Sequence, residues 1–309
     1  MADTYHPLTP SRVWLVTGCS SGIGRHLVSA IIARGDKVIA TARRISDLDY
    51  LAKIEGAQDR ALGITLDVTD PADQLRETID RAISHFGVID VLVNNAGFVV
   101  SGVWEELSHD ETQRQFSTNL FGAIKVTQCV LPYLRKAKSG VILFMGSISG
   151  WHGVGAGGPY SASKFALEGA AECLAKETAH LGIRTHILVL GQFRTSILDD
   201  KKKGGILNPT SISDYDCIKA EMSDRHKETH GRQPGDPERA VQKILDIARL
   251  ENLSEDEMTN LPLRIPLGAD ALQVMRLKCT QTLQHLEKWE RFAASTDYSE
   301  ECSVPSYFR

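Results

Sequence analysis

The sequence contains no apolar run near the ~18 residues that a membrane-spanning helix needs, and no marked excess of one charge. Its longest compact apolar run is Val141–Met145. Lys and Arg total 35 and Asp and Glu total 39, giving a net charge of −4 and no general attraction to nucleic-acid phosphates. We therefore expect neither a membrane-spanning segment nor a nucleic-acid partner.

The six cysteines form no C-x-x-C pair, and residues 1–12 lack the apolar stretch of a secretory signal peptide. Both absences are typical of a cytoplasmic protein with reduced thiols, and we expect that localisation. Hydrophobic residues make up 42% and charged residues 24%, the composition of a globular chain with a sizeable core. The cysteines are Cys19, Cys129, Cys173, Cys217, Cys279 and Cys302.

Short apolar runs alternate with helix-like segments over roughly the first two thirds of the 309 residues. Asp70-Pro71 and the capping box Ser108-x-x-Glu111 mark two helix starts. This rhythm predicts a Rossmann-type α/β fold, a doubly wound parallel sheet with helices on both faces. The predicted strands are Val13–Val16, Val38–Thr41, Ile64–Leu66, Val91–Val93, Val141–Phe144 and Ile187–Leu190.

A polar segment interrupts the rhythm from Gln192 to Gly235 and carries the charged run Lys201–Lys203. Too little chain follows it to build an independent core, so a substrate loop or lid fits better than an interdomain linker. We therefore expect a single domain over residues 1–309, with a core at 12–195, a lid at 192–235 and a C-terminal helix and strand region at 236–295.

A glycine-rich turn, Thr17-Gly18-Cys19-Ser20-Ser21-Gly22-Ile23-Gly24, follows the first predicted strand. Glycine at a strand-to-helix turn lets the backbone approach a pyrophosphate, which then meets the helix N-terminus. A tight turn without a ligand is the alternative for this pattern alone. Cys19 within it is interpreted as a small buried filler, because nothing nearby favours a thiolate.

Three further motifs follow in order: Asn94-Asn95-Ala96-Gly97, Ser147, and Tyr160-Ser161-Ala162-Ser163-Lys164. Together with the glycine-rich turn, they resemble the pattern of the short-chain dehydrogenase/reductase superfamily over about residues 12–195. The resemblance implies an oxidoreductase that passes hydride between a nicotinamide and a carbonyl or alcohol carbon. It also implies four catalytic residues: Asn119, Ser147, Tyr160 and Lys164.

The end of the second predicted strand favours NADP(H) as the cofactor. Ala42 stands where an acid would bind the ribose of NAD, and the guanidinium of Arg43 follows with a geometry suited to phosphate. The alternative is that Arg43 and Arg44 are only solvated. With the resemblance, the expected cofactor contacts are Thr17, Gly18, Ser20, Ser21, Gly22, Ile23, Gly24, Arg43, Asp67, Val68, Asn94, Ala96, Gly97, Tyr160, Lys164, Gly191 and Thr195.

Tyr160 and Lys164 lie four residues apart on a predicted helix and so project together. We expect the ammonium to lower the pKa of the phenol, Ser147 to stabilise the substrate oxygen, and Tyr160 to transfer the proton. Asn119 resembles the family's asparagine that holds a water linking the lysine to solvent; a core hydrogen bond is its alternative.

The sequence departs from the family after the sixth predicted strand, where Leu190-Gly191 replaces the usual Pro-Gly. We still expect Thr195 to meet the nicotinamide carboxamide. Trp104, Trp151 and Phe193 indicate either a bulky apolar substrate or ordinary packing. No metal site is expected, because His226 and His230 lack the H-E-x-x-H order.

The expected function is therefore reduction of a ketone or aldehyde, or oxidation of the matching alcohol. Two alternatives stay open: a biosynthetic enzyme that couples reduction to cyclisation or isomerisation, and a non-catalytic NADP-binding regulator. By analogy with the family, we expect a homo-oligomer, a dimer or tetramer, paired through the helices that begin near Ser108 and Tyr160.

Overall fold

The protein is described by a computed structural model that covers residues 11–195 and 212–298. Within these residues the chain forms a seven-stranded, all-parallel sheet with the order β3-β2-β1-β4-β5-β6-β7. This arrangement confirms the predicted Rossmann-type α/β fold. The strands are β1 Val13–Val16, β2 Lys37–Ala42, β3 Ala61–Thr65, β4 Val91–Asn94, β5 Gly140–Met145, β6 Ile183–Leu190 and β7 Arg264–Leu267.

Helices cover both faces of the sheet, and the chain also forms a π-helical segment, Ser117–Gly122, between two of them. The α-helices in the described residues are α1 Gly22–Ala33, α2 Ala57–Arg60, α3 Ala72–Phe86, α4 His109–Phe116, α5 Ala123–Ala137, α6 Gly158–Thr178, α7 Asp216–Thr229, α8 Pro237–Arg249, α9 Glu255–Thr259 and α10 Ala269–Ala294. No helix in this part of the chain is both long and apolar enough to cross a membrane.

The core has two halves because successive strand residues point to opposite faces of the sheet. Trp14 and Val16 of β1 belong to a buried cluster with α1 and α8. Val13 and Leu15 belong to the cluster on the other face, which includes residues of α3, α5 and α6. Burial of both faces explains why β1 is continuously apolar in the sequence.

The strand order reverses direction at β1, which pairs with β2 on one side and β4 on the other. Val16 at the carboxyl end of β1 is in register with Ala40 of β2 and Val93 of β4. Open α/β sheets bind ligands in the crevice outside this switch point. The chain therefore brings the glycine-rich turn, the end of β2 and the Asn94 region to a single edge.

Some boundaries differ from the sequence prediction. β3 is Ala61–Thr65, earlier than the predicted run, because this edge strand is partly exposed and carries little apolar signal. Pro71 rather than Asp70 occupies the N-cap of α3, and no side chain caps that helix. Ser108 does cap α4, and its capping box with Glu111 is complete.

The described part of the segment 192–235 contains α7, a helix that the sequence did not predict. Its apolar residues are few and do not form a clear stripe, so the periodicity gave no signal. Lys201–Lys203 lie outside the described residues. That this segment acts as a lid stays a prediction.

Candidate active site

The glycine-rich turn follows β1 directly and ends at the N-terminus of α1. Gly18 has a φ of +71°, and a Cβ there would lie 2.8 Å from the Cα of Ala96. A Cβ at Gly24 would collide with the carbonyl oxygen of Gly18. Ser21 occupies the N-cap of α1 without a side-chain capping bond. The turn therefore presents uncapped helix N–H groups beside a close-packed backbone, an arrangement suited to phosphate.

Asn95 ties the two halves of this edge together, although the sequence analysis gave it no role. Its side-chain amide donates to the carbonyl oxygens of Thr17 at 2.7 Å and Gly18 at 3.0 Å. In return, Thr17 Oγ1 accepts from the backbone N–H groups of Asn95 and Ala96, each at 2.9 Å. Asn95 thus fixes the glycine-rich turn against the residues after β4.

The two arginines that follow β2 differ in their hydrogen-bonding partners. Arg44 is held by Asp47, with Nη2 donating to Oδ1 at 2.9 Å and Nε to Oδ2 at 3.2 Å. Arg43 is exposed and has no hydrogen-bond or ion-pair partner in the described part of the chain. Of the two guanidinium groups, that of Arg43 is therefore free to bind an anion.

Other residues at the switch point are held by their neighbours. Asp67 Oδ1 accepts from the backbone N–H of Thr69 at 2.9 Å and from its hydroxyl at 2.7 Å. Val68 is buried against Gly122, where an added Cβ would lie 2.6 Å from Val68 Cγ2. Asn94 Nδ2 donates to Thr127 Oγ1 at 2.9 Å, while its buried Oδ1 has no partner within the described residues.

Ser147, Tyr160 and Lys164 come together at the carboxyl end of β5. Ser147 stands two residues beyond the strand, where its Oγ accepts from the N–H of Ser149 at 3.1 Å. The Ser147 hydroxyl also lies next to the phenol of the half-buried Tyr160. Lys164 Nζ donates to the carbonyl oxygen of Met145 at 2.6 Å and lies 5.7 Å from the centroid of the Tyr160 ring.

The pKa values at this site correct one expectation. Burial raises the pKa of Tyr160 above its ordinary value, and the hydrogen bond with Ser147 opposes that shift. The predicted lowering by Lys164 is therefore wrong for the protein alone. Lys164 donates to the backbone rather than to the phenol, and its own burial lowers the pKa of the amine to about 8.

Asn119 lies in the π-helical segment and is almost fully buried. Its Nδ2 donates to the carbonyl oxygen of Phe98 at 3.1 Å and to Ser163 Oγ at 3.3 Å, and its Oδ1 accepts from the N–H of Phe98. Ser163 in turn donates to the carbonyl oxygen of Tyr160 at 2.7 Å. The side chain thus joins this segment to α6 through hydrogen bonds in the core. That it also holds a water linking Lys164 to solvent stays a prediction.

Residues 12–205 match the family model for short chain dehydrogenases. The chain belongs to the short-chain dehydrogenase family. It is therefore an oxidoreductase, and four motifs of that family stand at one edge of its sheet.

The relatives of this short-chain dehydrogenase include uncharacterized oxidoreductase YusZ of Bacillus subtilis, 34% identical over 83% of this chain and 89% of the relative. The 3-ketodihydrosphingosine reductase of Bacteroides thetaiotaomicron is 35% identical over 62% of this chain and 67% of the relative. A short-chain dehydrogenase from Streptomyces avermitilis superposes with a TM-score of 0.80 at 34% identity, covering 96% of this chain and 100% of that structure.

Glu168 is the most notable site residue that the sequence analysis missed. It lies one helical turn after Lys164 on α6 and is buried. Its Oε2 accepts from Trp151 Nε1 at 3.1 Å and from Arg264 Nε at 2.9 Å, while Oε1 has no partner among the described residues. The negative charge acts to raise the pKa of Lys164. The four-residue spacing after Lys164 was the available signal.

Asp270 fixes the backbone where this short-chain dehydrogenase lacks the usual proline. Its Oδ2 accepts from the N–H of Gln192 at 2.6 Å, and its carboxylate packs so closely on Gly191 that no Cβ fits there. Thr195 approaches the glycine-rich turn, with its Cβ 3.7 Å from the position of a Cβ at Gly22. A side chain on α10 thus holds the segment that Leu190 leaves less restrained.

The three aromatic residues weighed as substrate contacts have different environments. Trp151 is hydrogen-bonded to Glu168, and Phe193 packs against Gly235 and the core, so both have ordinary structural contacts. Trp104 is 59% exposed and lies over Gly158, at the start of the helix that carries Tyr160.

Helix α7 docks on the loop that carries Trp104. Lys219 Nζ donates to Glu106 Oε1 at 2.9 Å and to the carbonyl oxygen of Ile212 at 3.1 Å. Met222 of the same helix packs in a small cluster with Val103 and Ala156. The beginning of the described chain after residue 211 is therefore anchored on the loop that carries Trp104.

The residues of the switch point fit a bound dinucleotide. The three glycines of the turn add no side chains at the start of α1, and the buried Oδ1 of Asn94 lacks a partner in the described chain. Arg43 adds an uncommitted positive charge. Cys19 is fully buried, and burial raises the pKa of its thiol to about 12, as expected of a filler. The described residues contain no cluster of acidic, histidine or cysteine side chains that fits a metal ion.

Proposed function

We propose that this short-chain dehydrogenase uses NADP(H) to interconvert a ketone or aldehyde and the matching alcohol, with Tyr160 as the general acid and base. The observation that carries the proposal is the grouping of the Ser147 hydroxyl with the Tyr160 phenol, and of Lys164 beside the tyrosine ring. A hydroxyl, a phenol and an ammonium at the carboxyl end of a parallel sheet match the needs of carbonyl reduction.

Arg43 supports NADP(H) over NAD(H). Because the position before it is Ala42, no carboxylate stands there to repel a 2′-phosphate, and the guanidinium is uncommitted. The residues expected to hold the cofactor are those of the turn 17–24, Arg43, Asp67, Val68, Asn94, Ala96, Gly97, Tyr160, Lys164, Gly191 and Thr195. When bound there, NADP(H) supplies or accepts the hydride.

The protein's own groups handle the oxygen and its proton. Ser147 donates a hydrogen bond to the substrate oxygen as negative charge develops on it. Tyr160 then gives its proton to that oxygen. This role suits a phenol with a raised pKa, since such a phenol stays protonated at neutral pH until it reacts. Lys164, largely protonated below its pKa of about 8, stabilises the phenolate left behind.

A bulky apolar substrate is the class we propose. Trp104 presents an exposed indole beside the helix of Tyr160, and α7 borders the same loop. One relative is named for the reduction of 3-ketodihydrosphingosine, a keto compound. We further propose that the segment 192–235 acts as a lid over this site.

We also propose the family's mode of self-association, through the helices that begin near Ser108 and Tyr160. Two large apolar side chains on this surface support it: Phe121, 54% exposed, in the π-helical segment, and Phe165, 46% exposed, on α6. Cytoplasmic localisation remains part of the proposal.

The test is a panel of ketones and aldehydes of increasing apolar size, followed by the loss of NADPH absorbance. The proposal expects turnover with NADPH that improves with apolar bulk. Absence of turnover across the panel, despite measured NADPH binding, would instead favour a non-catalytic regulator.

A further inference from the structure

Helix α10 extends away from the rest of the protein. Its first turns contact β7 and the segment Ile148–Gly150, and Ala271 is fully buried there. From Arg276 to the end of the helix, every residue is exposed. At a rise of 1.5 Å per residue this part is roughly 28 Å long. No part of residues 11–195 or 212–298 covers it.

This extended part carries large apolar side chains that water would not favour. Leu283 is 61% exposed, Leu286 62%, Trp289 58% and Phe292 66%. Trp289 and Phe292 contact each other edge to face, with ring centroids 5.1 Å apart. An exposed apolar surface of this extent on a helix normally marks an interface.

Most of the apolar residues form one stripe along the helix. At 100° per residue they fall within an arc of about 120°, the width of a helix face that packs against another helix. We call this set the α10 stripe; it consists of Leu272, Met275, Cys279, Leu283, Leu286, Trp289 and Ala293.

We propose that α10 pairs antiparallel with α10 of a second copy of this chain, about a two-fold axis near Thr282. With that axis, Cys279 faces the partner's Leu286 and Leu283 packs beside the axis. Met275, which already packs against its own core, lies at the end of the stripe opposite the partner's Trp289. Large residues thus meet small or flexible ones along the whole stripe, as in close helix packing.

The charges beside the stripe favour the antiparallel arrangement. Arg276, Glu287 and Glu290 lie on the same side of the stripe. In an antiparallel pair, residues on the same side of the two helices meet, so Arg276 faces the partner's Glu290, with Glu287 one turn away. In a parallel pair, Glu290 would instead lie near its own copy, which costs free energy because like charges repel.

The same charges argue against a membrane surface as the occupant. Glu290 lies within the edge of the apolar arc, so an interfacial helix would push this carboxylate into the lipid. The rest of the exposed helix carries both signs of charge rather than a basic face: Arg276, Lys278, Lys288 and Arg291 with Glu287 and Glu290. A second copy pairs its charges, whereas a bilayer does not.

The proposal does not depend on the catalytic function. The α10 stripe is separate from Phe121 and Phe165, so the two surfaces together would build a tetramer from two kinds of two-fold contact.

The first experiment measures the mass of the full chain in solution by size exclusion with light scattering. Leu283→Glu with Leu286→Glu should halve the assembled mass, because two carboxylates enter the centre of the stripe. The control is Gln281→Glu with Gln284→Glu, which adds the same charge on the opposite face and should leave the mass unchanged. All four positions are exposed, so neither pair of substitutions should unfold the body, and both variants should keep the helical circular-dichroism signal.

The second experiment tests the orientation. Arg276→Glu alone should weaken the assembly at least tenfold, and adding Glu290→Arg should restore it, since the pair is re-formed across the axis. Thr282→Cys should form a disulfide-linked dimer under mild oxidation, whereas Gln281→Cys should not.

Several results would overturn the proposal. An unchanged mass for the Leu283 and Leu286 variant would mean that another part of the chain covers the stripe. Failure of Glu290→Arg to restore Arg276→Glu would contradict the antiparallel register. Binding of the parent chain to phosphatidylcholine vesicles, lost in the Leu283 and Leu286 variant without any change in mass, would identify a membrane as the occupant instead.

Discussion

Lys164 depends on a neighbour that the family motifs do not include. Burial pulls the pKa of its amine down to about 8, and the carboxylate of Glu168 acts against that shift. Glu168 is itself held by Trp151 and Arg264, so its position is fixed. We infer that Glu168 is a positioning residue that keeps Lys164 protonated during turnover.

Glu168→Gln should therefore move the alkaline limb of the pH profile of carbonyl reduction to lower pH. The sign follows from the charge: without the carboxylate the ammonium is less stabilised, so the pKa of Lys164 falls further and the proton is lost earlier as pH rises. The matched control is Glu172→Gln, which also removes a partner of Arg264 but lies farther along α6. A profile that moves equally in both variants would assign the effect to Arg264 instead.

Arg43 and Arg44 are adjacent but differ in their partners, which makes them a matched pair for cofactor choice. NADPH should bind at least tenfold more tightly than NADH, a difference of ~1.4 kcal/mol. Arg43→Ala should erase most of that preference and leave NADH affinity nearly unchanged, as measured by fluorescence titration.

Arg44→Ala should have the smaller effect on NADPH, because its guanidinium already binds Asp47. Equal affinity of the parent enzyme for the two cofactors would contradict the assignment of Arg43.

The motif residues were predictable from the sequence because each motif is local. Tyr160 and Lys164 share a helix face by spacing alone, and the glycines of residues 18–24 stand where a strand turns into a helix. Asp270 was not predictable, because its contact with Gln192 joins segments 78 residues apart. The direction of the Tyr160 pKa was wrong because burial, which no motif records, is its largest cause.

Among the structural elements, the turn between β1 and α1 has a strict steric requirement for glycine. Gly18 combines a positive φ with a backbone neighbour 2.8 Å from any added Cβ. Gly18→Ala should cost about 1–3 kcal/mol of stability from the left-handed conformation alone, and it should weaken NADPH binding because the turn moves.

Thermal melting and an NADPH titration check this prediction. Gly153→Ala is the control: a Cβ there meets no atom within 4 Å, so both measurements should match the parent. An unchanged melting temperature for Gly18→Ala would mean that the turn adapts more easily than its geometry indicates.

Helix α7 offers a test of the proposed lid. Lys219 donates a hydrogen bond to Glu106, on the loop that carries Trp104. This hydrogen bond lowers the pKa of the Glu106 carboxyl. Lys219→Met should release α7 and raise the KM for a bulky ketone roughly tenfold, with NADPH affinity unchanged.

Lys227→Met on the same helix removes only an exposed pair with Asp224 and should leave KM unchanged. If both variants behave alike, α7 does not border the substrate.

The inner strands were predictable as elements because burial on both faces leaves continuous apolar runs, whereas the partly exposed β3 and β7 carry a weaker signal. The two surprises were α7 and the π-helical Ser117–Gly122, for opposite reasons. α7 lacks a clear apolar stripe, and the π-helical segment has the sequence of an ordinary helix between α4 and α5. Only tertiary contacts, such as those of Asn119 with Phe98 and Ser163, distinguish it.

For the molecule as a whole, the alternation of strands and helices led to the correct fold class, because parallel strands need right-handed crossovers and these leave few strand orders. The surfaces of self-association were harder to predict from the sequence. Exposed apolar residues such as Phe165 and Leu286 become recognisable as surface only once the fold shows that nothing in the described chain covers them.

The most direct test of the enzyme assignment compares Tyr160→Phe with the parent enzyme. Single-turnover and steady-state rates of carbonyl reduction are measured for both, together with their affinities for NADPH. The substitution keeps the ring and removes the proton donor. We expect kcat with the best carbonyl substrate to fall by ~100-fold or more, while the NADPH Kd stays within about twofold of the parent. Turnover near that of the parent, with the same substrate and intact cofactor binding, would contradict the role of Tyr160 and with it the proposed mechanism.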